Sequence, residues 1–333
     1  MRAERLHYID VAKGLLICLV VLSHIPQVMM KLYGSLTPAI RSLEFLEVFY
    51  VPYFMPAFFV ITGFCCNFDT KLIPFVKKQF CSIMIPAFCL GFISMWINLI
   101  QNGVTDWSMY CKLGFRTFLL YGGVYWFLGA LFLAKIIYYL FCKFIQSIWG
   151  RLFLCILCIL FGLLLHRMCI KEYWFITHAF MLIIFLWIGE FIRDIKISTL
   201  HYAIAGFIYV ALVLIETGVG FNIPYITATI NVKYSQLCNF LLISISGVVG
   251  ILGIARAIKN SNILEKLGRQ SLVIYCLHIS LEMLFAKCFY IFSSSELFEY
   301  IFVFLLFGFT IISCLGISKL LHKQYFRFLL GKF

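Results

Sequence analysis

Within an otherwise apolar run at residues 8–26, Lys13 and His24 stand eleven positions apart. On a helix that spacing is close to three turns, so both side chains fall on nearly one face, separated along the axis by roughly 16 Å. Asp10, three residues before Lys13, joins the same side. An imidazole can accept a proton and return it. A lysine can attract an anion, and an aspartate can hold the lysine in place. One helix face thus offers an ion pair near one surface and a proton acceptor about half a bilayer away.

Three later stretches add candidates. At 49–64, Pro52 and Pro56 lie four apart in an apolar run, which breaks or kinks a helix. Backbone freed at membrane depth must be satisfied by protein or by a wet cavity. The stretch Met55-Pro56-Ala57-Phe58-Phe59-Val60-Ile61-Thr62-Gly63 therefore reads either as a kinked packing helix or as the wall of a site. Trp126, in Trp126-Phe127-Leu128, reads as an interfacial anchor or as a stacking surface. Ser271, Tyr275, His278 and Glu282 follow i, i+4, i+7 and i+11 and form one polar stripe. In lipid such a stripe must face protein or water, either as helix–helix hydrogen bonds or as a site lining. The remaining histidines show no metal-ligand spacing, and no glycine-rich phosphate loop is present, so no metal is expected.

Together these stretches resemble the landmarks of the membrane acyltransferase-3 family, over about residues 6–320. The opening Tyr8-x-Asp10-x-x-Lys13-Gly14, running on to Val20-Val21-x-x-His24, resembles its first landmark. The Met55–Gly63 segment resembles a second, with Thr62 where serine is usual. Trp126-Phe127-Leu128 resembles a further segment. Gly268-x-x-Ser271-Leu272-x-Ile274-Tyr275-x-x-His278 resembles another. The nearest branch is the fucose 4-O-acetylase-like, or sugar O-acetyltransferase, group. Many members carry arginine where this chain has Lys13. The charge is kept, but the two-pronged grip of a guanidinium is lost.

The resemblance implies an enzyme that moves an acyl group, acetyl in the first instance, from acyl-CoA to a hydroxyl of a cell-envelope carbohydrate or lipid-linked glycan. His24 would be the general base, Lys13 and Asp10 would serve the donor, and Pro56, Thr62, Trp126, Ser271, Tyr275, His278 and Glu282 would line the site. Acyl-CoA is a co-substrate, and no bound cofactor is implied. The pantetheine arm is comparable in length to the Lys13–His24 separation, which allows the nucleotide to stay at the inner face. A transporter or flippase of an envelope precursor is the competing reading, because intramembrane ionisable residues and a broken span suit it as well. A scaffold subunit would leave Lys13 and His24 without a task.

These residues must be positioned by membrane helices. The chain has 333 residues, 63% hydrophobic and 12% charged. A water-soluble domain cannot hide that much apolar side chain. The formal charge of +13 suggests nucleic acid only until the basic residues are placed, for they punctuate apolar runs and form no single patch. Apolar runs of near-spanning length predict about ten helices, at 8–30, 48–68, 76–100, 118–141, 152–168, 174–192, 199–217, 237–255, 270–292 and 298–321. The fold expected is an all-α polytopic membrane bundle, one domain over 1–333. The first run is read as a retained span, because Asp10 and Lys13 interrupt it and no small-residue cleavage site follows. Most of the 27 lysines and arginines fall on the side of the N-terminus, which puts both termini in the cytoplasm; the location expected is the inner, plasma membrane. Most of the 14 cysteines lie in apolar runs and read as packing. Cys111 and Cys169 fall in outer loops where a pair is conceivable.

Overall fold

The computed structural model describes the chain apart from residues 1–6, 102, 104–107, 109–110, 113, 118–124, 169–172, 219–222, 259–260, 290–295 and 333. The described residues form helices α1 (His7–Tyr33), α2 (Pro38–Glu47), α3 (Val51–Cys65), α4 (Leu72–Gln79), α5 (Ile85–Gln101), α6 (Trp126–Phe144) and α7 (Ile148–Arg167). They continue as α8 (Ile176–Ile192), α9 (Thr199–Gly218), α10 (Leu237–Ala257), α11 (Asn262–Arg269), α12 (Ser271–Phe289) and α13 (Glu296–Leu321). Two short strands, β1 (Tyr225–Ile226) and β2 (Ile230–Asn231), pair antiparallel between α9 and α10.

Among the described residues, eight helical segments are long and apolar enough to cross a membrane, with α4 and α5 taken as one through the π turn between them, and α2 with α3 makes a ninth candidate bent by 48°. The molecule is thus an all-α polytopic bundle. Helix α8, with 17 residues, is shorter, and it is buried among α3, α6 and α7. Lipid-facing surfaces are read from exposed apolar side chains such as Phe153, Leu157, Leu160 and Leu164 on α7, and Leu200, Phe207 and Leu214 on α9. Nothing in water would keep those faces uncovered.

Helix α1 runs through the interior, with Val11, Leu16, Val20 and Val21 fully covered. It packs on α3, α10, α11 and α12. Its contact with α11 is a backbone-to-backbone approach: a Cβ on Gly14 would strike the Leu264 carbonyl, and one on Gly268 would strike that of Asp10. The α3–α8 crossing repeats the device, with Gly63 against Leu186 and Gly189 against Val60. Helices in lipid gain little from apolar burial, so such close approach supplies the packing energy.

One sequence expectation is corrected. A loop expected from residue 31 is largely helical: α1 continues to Tyr33, and 38–47 form α2. There Pro38 occupies the first position and the Thr37 hydroxyl accepts a hydrogen bond from the Ile40 N–H at 3.5 Å. Of the span expected at 118–141, residues 118–124 lie outside the described residues, and the chain is helical from Trp126. Cys169 of the conceivable Cys111–Cys169 pair also lies outside the described residues.

Pro56 has no N–H, so the carbonyl four residues earlier, on Pro52, loses its helical partner. The Ser244 hydroxyl of α10 donates to it at 2.8 Å. A second irregularity sits between α4 and α5, where Phe80–Met84 form a π-helical turn. Such turns occur often at functional sites.

Candidate active site

Two cavities open from opposite ends of α1. The first, of about 460 Å³, is lined by Lys13 of α1, Lys78 of α4 and Lys135 of α6. Thr62 and Cys65 of α3 and Gln79 and Ser82 beside the π turn complete its polar wall. Lys135 is only 8% exposed, so a cation is held almost within the bundle. No aspartate or glutamate is among the residues lining this cavity.

The second cavity, of about 520 Å³, is lined by Ser23, His24 and Gln27 of α1, by Glu44 and Glu47 of α2, and by Trp126 at the start of α6. The β1–β2 hairpin closes its outer wall with Tyr225, Thr227, Thr229 and Asn231. Because the lysine and histidine lie three turns apart, one helix presents a side chain to each cavity.

The geometry around His24 assigns its tautomer. Its Nδ1 lies 3.0 Å from the Val20 carbonyl, which can only accept, so Nδ1 carries a hydrogen, and in the neutral ring Nε2 then presents the lone pair. Ser23 Oγ also donates to Val20 at 2.8 Å and lies 3.1 Å from His24 Nδ1. A half-buried imidazole with a fixed donor side and a free acceptor side is the arrangement a general base requires.

Behind it, His278 of α12 meets the His24 ring edge-on with centroids 4.9 Å apart. His278 Nδ1–H donates to the Tyr275 and Ile274 carbonyls at 2.8 and 3.0 Å. Its buried Nε2 has no hydrogen-bond partner among the described residues. Tyr275 packs on Phe127 and Tyr125 at 5.4 and 5.6 Å between centroids, and the Tyr125 hydroxyl donates to the Cys276 carbonyl.

The other sequence-derived candidates separate into groups. Thr62 lines the lysine cavity, and Trp126 lines the histidine cavity. Pro56, Ser271, Tyr275, His278 and Glu282 line neither. Pro56 is buried in the α3 packing face. Glu282 is fully buried next to Cys314 of α13, with neither carboxyl oxygen hydrogen-bonded among the described residues. Asp10 forms an ion pair with Arg269 of α11 at 3.7 Å. It is covered by α11 and is not among the residues lining the lysine cavity.

The two cavities share no lining residue. On α3, Met55 faces one and Ile61 the other, with Phe58 and Phe59 between them. Both rings meet Phe127 at 5.7 Å, and Phe127 meets Tyr275. An aromatic layer of Phe58, Phe59, Phe127 and Tyr275 therefore lies between the lysines and the histidine.

Sequence reasoning missed several members. Lys135 was visible as a charge inside a span, which by itself marks a functional position. Glu44 and Glu47 looked like part of a polar loop. The hairpin wall carries no periodic signal at two residues per strand. His178, whose ring packs on Trp126 at 5.1 Å, gave no sign of its neighbour because the two are on different helices.

Among the described residues no group of histidine, cysteine, aspartate and glutamate side chains could hold a metal ion. Residues 6–319 match the family model described as an acyltransferase domain. No curated protein and no solved structure matches the chain.

Proposed function

The chain belongs to this family of membrane acyltransferases, and from that premise we propose that it transfers an acetyl group from acetyl-CoA to a carbohydrate hydroxyl at the cell envelope, with His24 as general base. Within the family we assign it to the sugar O-acetyltransferase branch, acting in the plasma membrane with both termini and the lysine cavity facing the cytosol. The observation that carries this reading is the pair of cavities on one helix, one around Lys13, Lys78 and Lys135 and one holding the His24 imidazole with Nδ1 tied to the Val20 carbonyl.

Acyl-CoA is a cytosolic polyanion, and three lysines without a counter-carboxylate in their cavity suit its phosphates. For its thin pantetheine arm to bring the thioester to His24, the packed Phe58 and Phe127 rings would have to part. The acceptor hydroxyl would enter the histidine cavity. Nε2 takes the hydroxyl proton as the oxygen attacks the thioester carbonyl. The tetrahedral intermediate then expels the thiolate, the carbon–sulfur bond breaks, and the imidazolium returns the proton to the leaving sulfur. An O-acetyl ester and free CoA result. The acceptor itself is either a free carbohydrate or a lipid-linked glycan.

Two opposed cavities divided by an aromatic layer would also suit a flippase of an envelope precursor. The discriminating measurement uses purified protein in lipid vesicles with radiolabelled acetyl-CoA and a hexose. Base-labile label on the sugar, with stoichiometric CoA release, is expected. Sugar movement across the vesicle without CoA release would replace this reading with transport.

A further inference from the structure

We propose that the histidine cavity selects its acceptor by charge, accepting neutral or amino sugars and rejecting those with a carboxylate or phosphate on the ring to be acylated. This rests on the acyl-transfer reading above and adds the class of acceptor. Glu44 and Glu47 lie three residues apart on α2, so both side chains face the cavity from one wall. Glu47 is half-buried, and its Oε1 is closed to solvent without a hydrogen-bond partner among the described residues. A carboxylate oxygen left in that state calls for a donor. No lysine or arginine is among the residues lining the cavity, although the chain carries a formal charge of +13. Lys31, about two turns beyond His24 on α1, is not part of the lining.

The remaining contacts suit a sugar ring. Trp126 offers a flat apolar face, braced from behind by the His178 ring. Gln27 and Asn231 supply amides, and Thr227 and Thr229 supply hydroxyls. A pyranose laid on Trp126 would direct hydroxyl or ammonium donors at Glu47. A hexuronate or sugar phosphate in the same pose would set a like charge against two carboxylates, which is costly in a partly desolvated space. The opposite cavity has the reverse character, three lysines and no acid among its lining residues. Charge thus sorts the two substrates, with the polyanionic donor on one side and an acceptor without negative charge on the other.

The test compares glucose, glucosamine and glucuronic acid as acceptors for the purified protein in vesicles of neutral lipid, with acetyl-CoA as donor and base-labile O-acetyl product as readout. Glucose and glucosamine should be acetylated, and glucuronic acid more slowly by roughly tenfold or more. In the Glu44→Gln, Glu47→Gln double variant that gap should close to about threefold or less. Equal transfer to all three sugars by the unaltered protein overturns the charge selection and leaves acyl transfer standing. A gap unchanged in the double variant overturns it too. Transfer to none of the three overturns both. The comparison on the unaltered protein is independent of whether any variant folds.

Discussion

His24 is useful as a base only if Nε2, and not Nδ1, presents the lone pair. The Val20 carbonyl, one turn earlier on the same helix, enforces this by accepting the Nδ1 hydrogen at 3.0 Å. The orienting group is therefore backbone, and no carboxylate is needed to hold the ring. His24→Ala should lower O-acetyl transfer by about 10²- to 10⁴-fold, the range for losing a general base, while the protein still inserts and elutes as a monodisperse species. Near-normal product from that variant would remove His24 from the mechanism. Its neighbour His278 also donates through Nδ1 to backbone, which leaves two acceptor nitrogens in one small region. His278 is thus placed to brace the His24 ring, since it lines neither cavity.

At the scale of elements, α1 is positioned by a short helix that does not span the membrane. Helix α11 crosses it at Gly14 and Gly268, and it also ties down the start of α1 electrostatically. Glu265 of α11 receives His7 Nδ1 at 3.1 Å and Arg269 at 2.6 Å. Those two partners, His7 first, hold its carboxyl below the ordinary glutamate range, and burial opposes them. A depressed carboxyl contributes stability that is present in full above the unfolded value of about 4.3 and is lost as pH falls through the lower folded value. The solubilised protein should therefore lose melting temperature as pH falls below about 4, and Glu265→Gln should start lower and change less over that window. Parallel curves for the two proteins would remove Glu265 from the acid response. The sequence showed α11 only as a polar gap between two spans, because eight residues that include Glu265, Lys266 and Arg269 carry no membrane signal.

At the scale of the whole molecule, the bundle carries its two charge characters at opposite ends of α1, with aromatic rings between. On the proposed reading, attraction of a polyanionic donor to the lysine cavity would act partly through solvent and be screened by salt. Raising ionic strength from about 0.01 to 0.15 M shortens the screening length from roughly 30 to 8 Å, so KM for acetyl-CoA should rise while kcat changes little. Lys13→Ala and Lys135→Ala should each raise that KM by roughly tenfold, as expected for losing a charge-assisted contact worth about 1.4 kcal/mol, and each should flatten the salt dependence. An unchanged KM in both would make the lysines structural. By itself the sequence determined the membrane bundle, nearly all its helices, and the Lys13–His24 face, because lipid demands long apolar helices and helical periodicity fixes which residues share a side. It could not determine that Asp10 pairs with Arg269, that Lys135 joins Lys13, that Glu47 lines one cavity with His24, or that Phe58 and Phe59 pack on Phe127. Those are meetings between residues distant in the chain, and side-chain packing at helix crossings decides them.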